Sequence, residues 1–267
     1  MRLLITGTSG FIGKNLVPSL PTEWDICIAA HAVINANSAL PSHFDACVYL
    51  AGNGDPNRSC EDPAYDLNAN TGTLLNLFSG GITFDKFIYF SSGAVYLDPP
   101  IPYSISKRAS EQYLQYLKWQ GRIKDLTIVR FFGAYGPHEP ERKIYTRLVR
   151  RFGIEKNPRF TIRGDGTNLI DAMYISDAID AIHLLLEKSI SIDTIDLSSK
   201  EPMTITDLVM RAGGVFGIVP EINYKGEVAE PIDFKSNDFT LERGFGFRPT
   251  VSLEDGLKRL CDYIKNQ

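Results

Sequence analysis

Compact apolar runs alternate along this chain with stretches in which apolar residues recur every three or four positions. Arg2–Thr6 is apolar with a β-branched end and predicts a buried parallel strand. Helical spacing follows through Phe11, Ile12, Leu16 and Val17, with Pro18 and Pro21 near the end of that helix. Residues 25–30 predict a second strand, 33–35 a short third and 45–51 the next, closed by Gly52. Asp62-Pro63 opens a long helix through Leu67, Leu74, Leu75 and Phe78, which ends at Gly80-Gly81. Residues 86–91 and 125–132 read as strands. Between them lies an amphipathic helix over 103–120, with Tyr113, Leu114 and Leu117 as its buried positions. Strand and helix alternate about six times to this point, the pattern of a doubly wound parallel sheet.

Beyond residue 140 the pattern loosens. Residues 142–152 read as a basic helix, 160–163 as a short strand, and 173–188 as a helix capped by Ser176. Residues 203–217, Tyr224 and the Phe245-Gly246-Phe247 turn complete a lobe of short elements. The expected organisation is α/β: a Rossmann-type dinucleotide-binding domain over 1–163 and a small, mainly substrate-binding C-terminal lobe over 164–267. The helix over 173–188 is expected to pack back on the first domain.

The first turn carries the first chemical signal. Gly7, Gly10 and Gly13 stand at intervals of three between a strand and a helix. A glycine at the first position lets the chain turn sharply, at the second it lets a phosphate approach, and at the third it lets the helix pack closely. The helix amino end then suits a pyrophosphate. The second strand ends in Ala29-Ala30-His31, with neither the acidic residue that grips an NAD ribose nor the arginine that suits NADP. NAD and NADP therefore both stay open, with His31 at the ribose end and Asn35 near the adenine. Leu50, Ala51 and Gly52 form a second phosphate-side loop.

Composition narrows the class. The 267 residues are 43% hydrophobic and 22% charged, and 28 basic against 32 acidic residues give a net charge of −4. No basic field points to nucleic acid, and no apolar stretch reaches the ~18 residues that span a bilayer. The chain enters a strand at once, with no room for a signal peptide. Cys27, Cys47, Cys60 and Cys261 lack C-x-x-C spacing; Cys27 and Cys47 read as core thiols, and a reduced, cytoplasmic protein is expected. His31, His43, His138 and His183 are scattered, so neither a metal site nor a Ser-His-Asp triad is expected, and His183 reads as a satisfied core residue.

Tyr103 and Lys107 stand four apart, on one face of the predicted helix. An ammonium beside a phenol favours the phenolate, so Lys107 is expected to lower the Tyr103 pKa. Such a phenol exchanges a proton with a substrate hydroxyl or carbonyl while hydride passes to or from a nicotinamide. Ser92, at the end of the preceding strand, would orient the substrate oxygen.

With these features in order, the chain resembles the extended short-chain dehydrogenase/reductase superfamily, in its NAD-dependent epimerase/dehydratase branch. The matching stretches run from Thr6 to Gly13, Leu50-Ala51-Gly52, Ser91 to Tyr96, Tyr103 to Lys107 with Glu111, Arg130 to Pro137, and Tyr174 to Asp177. The resemblance implies Tyr103 as acid/base, Lys107 as its pKa modulator and nicotinamide-ribose ligand, and Ser92 as donor to the substrate oxygen. Ser9, Phe11, Ile12 and Phe131 join the cofactor positions named above, as do Tyr103 and Lys107. It further implies a nucleotide-sugar substrate under the C-terminal lobe, and a homodimer through two helices that include the Tyr103–Lys107 helix.

The departures from that family are specific. Gly93-Ala94 stand where 4,6-dehydratases carry an Asp-Glu pair, so dehydration is not expected. Gly133 replaces an asparagine that contacts the nucleotide diphosphate in many epimerases, and Ile170 replaces an arginine usual before Asp171. Tyr103 follows Ser92 by only eleven positions, which trims the pocket. A C4 epimerase or a 4-keto reductase on a nucleotide-sugar is the first expectation. A dinucleotide-binding sensor or scaffold without turnover is the alternative. Arg58 and Cys60, in the loop after the fourth strand, are open candidates for the substrate pocket, and the cluster from Arg142 to Arg151 for its pyrophosphate or for a solvated face.

Overall fold

Hydrophobic runs that bury both faces force strands into the middle of a sheet, and the computed structural model places the first of them there. It describes residues 1–30, 34, 40–188, 192–226 and 233–267. Strand β1 (Arg2–Thr6) buries Leu3, Leu4 and Ile5 completely. It pairs in parallel with β2 (Asp25–Ala29) on one side and with β3 (His43–Tyr49) on the other. β3 continues in parallel to β4 (Thr83–Ser92), and β4 to β5 (Ile123–Phe131). Thr194–Leu197 forms the far edge of this six-stranded sheet. The chain reverses its direction of travel across the sheet between β1 and β3. That creates a switch point, and ligands bind such sheets beyond the strand carboxyl ends there.

Helices fill the connections. α1 (Phe11–Leu16) follows β1; α2 (Pro56–Glu61) and α3 (Pro63–Leu67) follow β3. A π-helical turn over Asn68–Gly72 joins α3 to α4 (Thr73–Ser79). α5 (Pro102–Trp119) lies between β4 and β5. Asp62 caps α3 by accepting from Tyr65 N, as its place before Pro63 suggests. The aromatic core includes the directly paired Tyr49 and Tyr89, with ring centroids 6.0 Å apart, and Phe84 against Phe87 at 5.0 Å.

The chain divides into two compact units, Met1–Phe131 with Ala181–Asp196, and Phe132–Asp180 with Leu197–Gln267. Residues 132–163, assigned by sequence to the first domain, thus group with the second unit. That unit is built from short pairings: Ala134–Tyr135 with Met173–Tyr174, Arg159–Arg163 with Glu221–Lys225, and Met203–Thr204 with Leu169–Ile170. Its core stacks Tyr135 on Tyr145 at 4.1 Å.

Several local expectations are corrected. Of the strand expected at 33–35 only Ile34 is among the described residues, and its N–H bonds Ala30 O in a helical pattern. Arg58 and Cys60 lie on a helix rather than a loop, because Asp55 caps it and Pro56 starts it. Tyr113 is exposed, whereas Leu114 and Leu117 are buried; a phenol one step off the inward stripe faces water. Ser176 is not a cap: Met173–Tyr174 is a strand, and the helix Ile175–Glu187 already includes Ser176. Cys47 is buried but Cys27 is only partly so, and His183 bonds Ser19 Oγ at 2.9 Å. Among the described residues, no helix is long and apolar enough to cross a membrane.

Candidate active site

The glycine turn is shaped by close backbone approach. Gly7 has φ +69°, and a Cβ there would lie 2.7 Å from the Leu50 carbonyl carbon. A Cβ on Gly13 would lie 2.5 Å from Gly7 O and from Thr8 Cα, so α1 is pressed against its own entry turn. Thr6 Oγ1 ties the two loops by accepting from Leu50 N and Ala51 N, each at 3.1 Å. The β1–α1 turn and the post-β3 loop therefore stand side by side at the switch point.

The proton-handling residues converge from β4 and α5. Ser92 ends β4, and its hydroxyl accepts from Ala94 N at 3.1 Å. α5 opens with Pro102, Ser104 Oγ accepts from Ile101 N at 3.0 Å, and Ser59 Oγ accepts from Tyr103 N at 3.2 Å. These bonds fix the first turn of α5 and thus the tyrosine it carries. Ser92 stands near enough to the Tyr103 hydroxyl to lower its pKa. Lys107, buried a turn further on, donates to Phe90 O at 3.0 Å and lies 5.9 Å from the Tyr103 ring centroid.

The electrostatics correct one expectation. Tyr103 is pushed up to about 12, chiefly by burial and further by the Asp66 charge, while Ser92 pulls it down. Lys107 does not produce the expected lowering. Burial instead brings Lys107 itself down to about 8, opposed by Asp66 and Glu111. Desolvation is the largest influence on both groups.

Two polar clusters surround the pair. Glu111 on α5 accepts from Ser91 Oγ at 2.6 Å and from Arg130 at 3.1 and 2.7 Å. Arg130 Nη1 also donates to Tyr96 OH at 2.8 Å, and that hydroxyl donates to Asp196 at 2.9 Å. On the other side, Asp66, Asn70, Asn53 and Ser106 bond one another. Asn70 and Thr71 sit in the π-helical turn, where Thr71 Oγ1 reaches Ser106 O at 2.9 Å. Sequence reasoning missed Ser59, Asp66, Asn70 and Ser106. The available signal was the spacing of Asp66 and Asn70, four apart and so on one face of the predicted helix.

The structure brings Gly7, Gly10, Gly13, Leu50, Ala51 and Gly52 to one end of the sheet. A Cβ on Gly52 would lie 3.8 Å from Lys107 Nζ, which joins that loop to the proton-handling pair. Ser9 is exposed, Phe11 and Ile12 are half-buried, and Phe131 packs edge-on against Phe90 at 5.6 Å. His31 and Asn35 lie outside the described residues. Arg58 stacks over Tyr65 at 3.7 Å. In the second unit Arg150 pairs with Glu141, Arg151 with Glu155, and Arg147 lies over Phe160. Asp177 there anchors Thr250 N and Val251 N at 3.0 and 3.2 Å. His43, Asp45 and Asp85 form an exposed group with metal-ligand composition, but Asp45 accepts from Arg2 N and His43 already bonds Thr83.

Comparison with known proteins adds to this geometry. The NAD dependent epimerase/dehydratase family matches residues 3–196. The chain is 24% identical to a putative UDP-glucose 4-epimerase of Methanocaldococcus jannaschii, over 99% of this chain and 98% of that protein. It is also 24% identical to the dTDP-D-glucose 4,6-dehydratase of Homo sapiens, over 68% of this chain and 57% of that one. Among solved structures, RMD from Pseudomonas aeruginosa complexed with NADPH superposes with a TM-score of 0.84 at 22% identity, covering 100% of both chains. A mutant UDP-glucuronic acid 4-epimerase from Bacillus cereus, in complex with UDP-4-deoxy-4-fluoro-glucuronic acid and NAD, gives 0.84 at 23% identity, covering 100% of this chain and 99% of that one.

Proposed function

The chain belongs to the NAD dependent epimerase/dehydratase family, and from that membership we propose that it is a nucleotide-sugar oxidoreductase acting at sugar C4, as a C4 epimerase or a 4-keto reductase. The observation that carries this reading is the Ser92–Tyr103–Lys107 constellation beside the glycine turn, with Ser92 and Lys107 buried and Tyr103 half-buried. The residues present fit a nicotinamide dinucleotide. The cradle at Gly7 and Gly13 has no room for a Cβ, and Lys107 reaches the loop at Gly52. Gly7, Ser9, Gly10, Phe11, Ile12 and Gly13, with the loop from Leu50 to Gly52, would hold the phosphate side, Phe131 would line the nicotinamide side, and Lys107 would hold its ribose. When bound, the nicotinamide supplies hydride acceptance and donation.

The chain's own residues handle the proton. Tyr103, with a pKa near 12, is a phenol at neutral pH and so is set to donate to a C4 carbonyl oxygen. In the reverse direction it needs a nearby cation to take the proton up as phenolate. Ser92, which lowers the pKa of that hydroxyl, would orient the substrate oxygen against it. Gly93-Ala94 offer no carboxylate for work at C5 and C6, which argues against dehydration despite the similarity to a dehydratase. An exposed row on α5, Ile105, Tyr113, Tyr116 and Trp119, suits a homodimer. Four free thiols suit a reducing, cytoplasmic setting.

The test is turnover of nucleoside diphosphate sugars and their 4-keto forms by the purified protein. Tightly retained cofactor with interconversion of C4 epimers supports an epimerase, and stoichiometric consumption of NADH or NADPH supports a reductase. Full activity in Tyr103→Phe would overturn the mechanism. Dinucleotide binding without turnover of any such sugar would favour a sensor.

A further inference from the structure

Asp66 plays no part in the reading above, yet its carboxylate is fully buried. A buried charge is retained only where its surroundings compensate it. Oδ1 accepts from Asn53 Nδ2 at 2.7 Å and from Asn70 Nδ2 at 3.0 Å, and Oδ2 accepts from Ser106 Oγ at 2.5 Å. All three donors are neutral. They nevertheless lead straight to the proton-handling pair. Ser106 immediately precedes Lys107, and its hydroxyl stands 3.1 Å from Tyr103 O. Asn70 Oδ1 would lie 2.4 Å from a Cβ on Gly52, a point itself 3.8 Å from Lys107 Nζ.

The groups facing Lys107 come from three directions. Tyr103 and Glu111 share its helix, β4 presents the Tyr89 ring at 5.1 Å and the Phe90 carbonyl, and Asp66 faces it from α3. Glu111 is already paired with Arg130 at 2.7 Å. Asp66, whose bonds come only from neutral donors, is the carboxylate with charge left to act on the lysine.

We propose that Asp66 is a positioning residue for the acid–base pair: held by Asn53, Asn70 and Ser106, it fixes the α5 turn that carries Tyr103 and Lys107 and supplies the countercharge that keeps Lys107 an ammonium. This rests on the assignment of proton handling to Tyr103 and Lys107. The direction of the electrostatics agrees, since the Asp66 charge raises both Lys107 and Tyr103. Neutralising it should therefore lower both.

The experiment is an NMR titration of the full chain labelled with isotopic lysine, the Lys107 Nζ resonance being identified by its loss in Lys107→Met. Asp66→Asn keeps the shape, and Asp66→Ser is the second neutral replacement should the first fail to fold. Either is expected to lower the Lys107 midpoint by about 1 pH unit or more. The pH–rate profile should move to the acid side on both limbs. A midpoint unmoved in a folded variant overturns the proposal, as does a lower kcat with an unmoved profile, which is what mere structural support would give. Failure of the underlying reading looks different: Tyr103→Phe would then keep full activity while the lysine titration still moved.

Discussion

Arg130 grips Glu111 with two parallel bonds, Nε to Oε1 at 3.1 Å and Nη2 to Oε2 at 2.7 Å. The pair fastens the middle of α5 to the end of β5, and Ser91, next to Ser92, bonds the same carboxylate at 2.6 Å. The strand end and the helix that carry the candidate chemistry are thus clamped to a common ion pair.

Cutting that clamp should be asymmetric. Glu111 has a side chain only 7% exposed, against 25% for Arg130. Arg130→Met strands a buried anion and is expected to cost about 3 kcal/mol. Glu111→Gln leaves a guanidinium that still reaches water and Tyr96, and should cost less. Urea denaturation of the two variants reads the difference; equal losses would contradict the argument.

The third glycine should tolerate nothing larger. A Cβ on Gly13 meets backbone atoms at 2.5 Å, and backbone cannot swing aside as a side chain can. Gly13→Ala is expected to lose at least the ~1–3 kcal/mol of ordinary overpacking, together with NAD(H) and NADP(H) binding. Thermal unfolding and a fluorescence titration of the cofactor would measure both effects.

Lys107, with a pKa near 8 against an ordinary 10.5, gives two opposite pH trends. Turnover should fall as pH rises through 8, because the ammonium that holds the cofactor ribose is lost. Stability should rise between about 8 and 10.5, where the unfolded chain binds a proton that the folded one does not. Lys107→Met removes the second trend, and its absence from the wild-type minus variant difference in urea would refute it.

Glu139 in the second unit works the other way. Burial raises its pKa from 4.5 to about 7, against the lowering effect of its bonds from Thr146. The folded chain then holds a proton that the unfolded chain has released, so this group's contribution to stability falls as pH rises from about 4.5 to 7. Glu139→Gln should flatten that part of the profile in denaturation measured across the window.

The outer row of α5 predicts an assembly. Trp119 is 78% exposed and Tyr116 53%, with their rings 6.0 Å apart. If this row seats a second copy, wild-type chain sediments as a dimer and Tyr116→Glu or Trp119→Glu as a monomer. A monomeric wild type would refute it.

Much of the first unit was legible because its strands are apolar runs and the helix after Asp62 begins at a capping residue. The β1 run and the cap at Asp62 declare themselves locally, and the α5 helix expected from Tyr103 begins one residue earlier, at Pro102. Position 113 misled because a tyrosine satisfies a helical stripe and a wet face equally well. Ser176 misled because a residue before an apolar run reads as a cap until the pairing of Met173–Tyr174 with Ala134–Tyr135 places a strand there.

By itself the sequence determined the parallel sheet, the glycine turn after its first strand, and the presence of Ser92, Tyr103 and Lys107 in order, since each follows from spacing within a few residues. Only the tertiary structure decided the charge states. Lys107 was expected to draw Tyr103 down, but burial moves both groups, and burial is a property of everything packed around them. It also brought in Asp66 and Asn70, residues 41 and 37 positions before Lys107, through the π-helical turn that lays them against Ser106. Spacing along the chain carries no record of such a contact, because it is made across the packed layer between two helices.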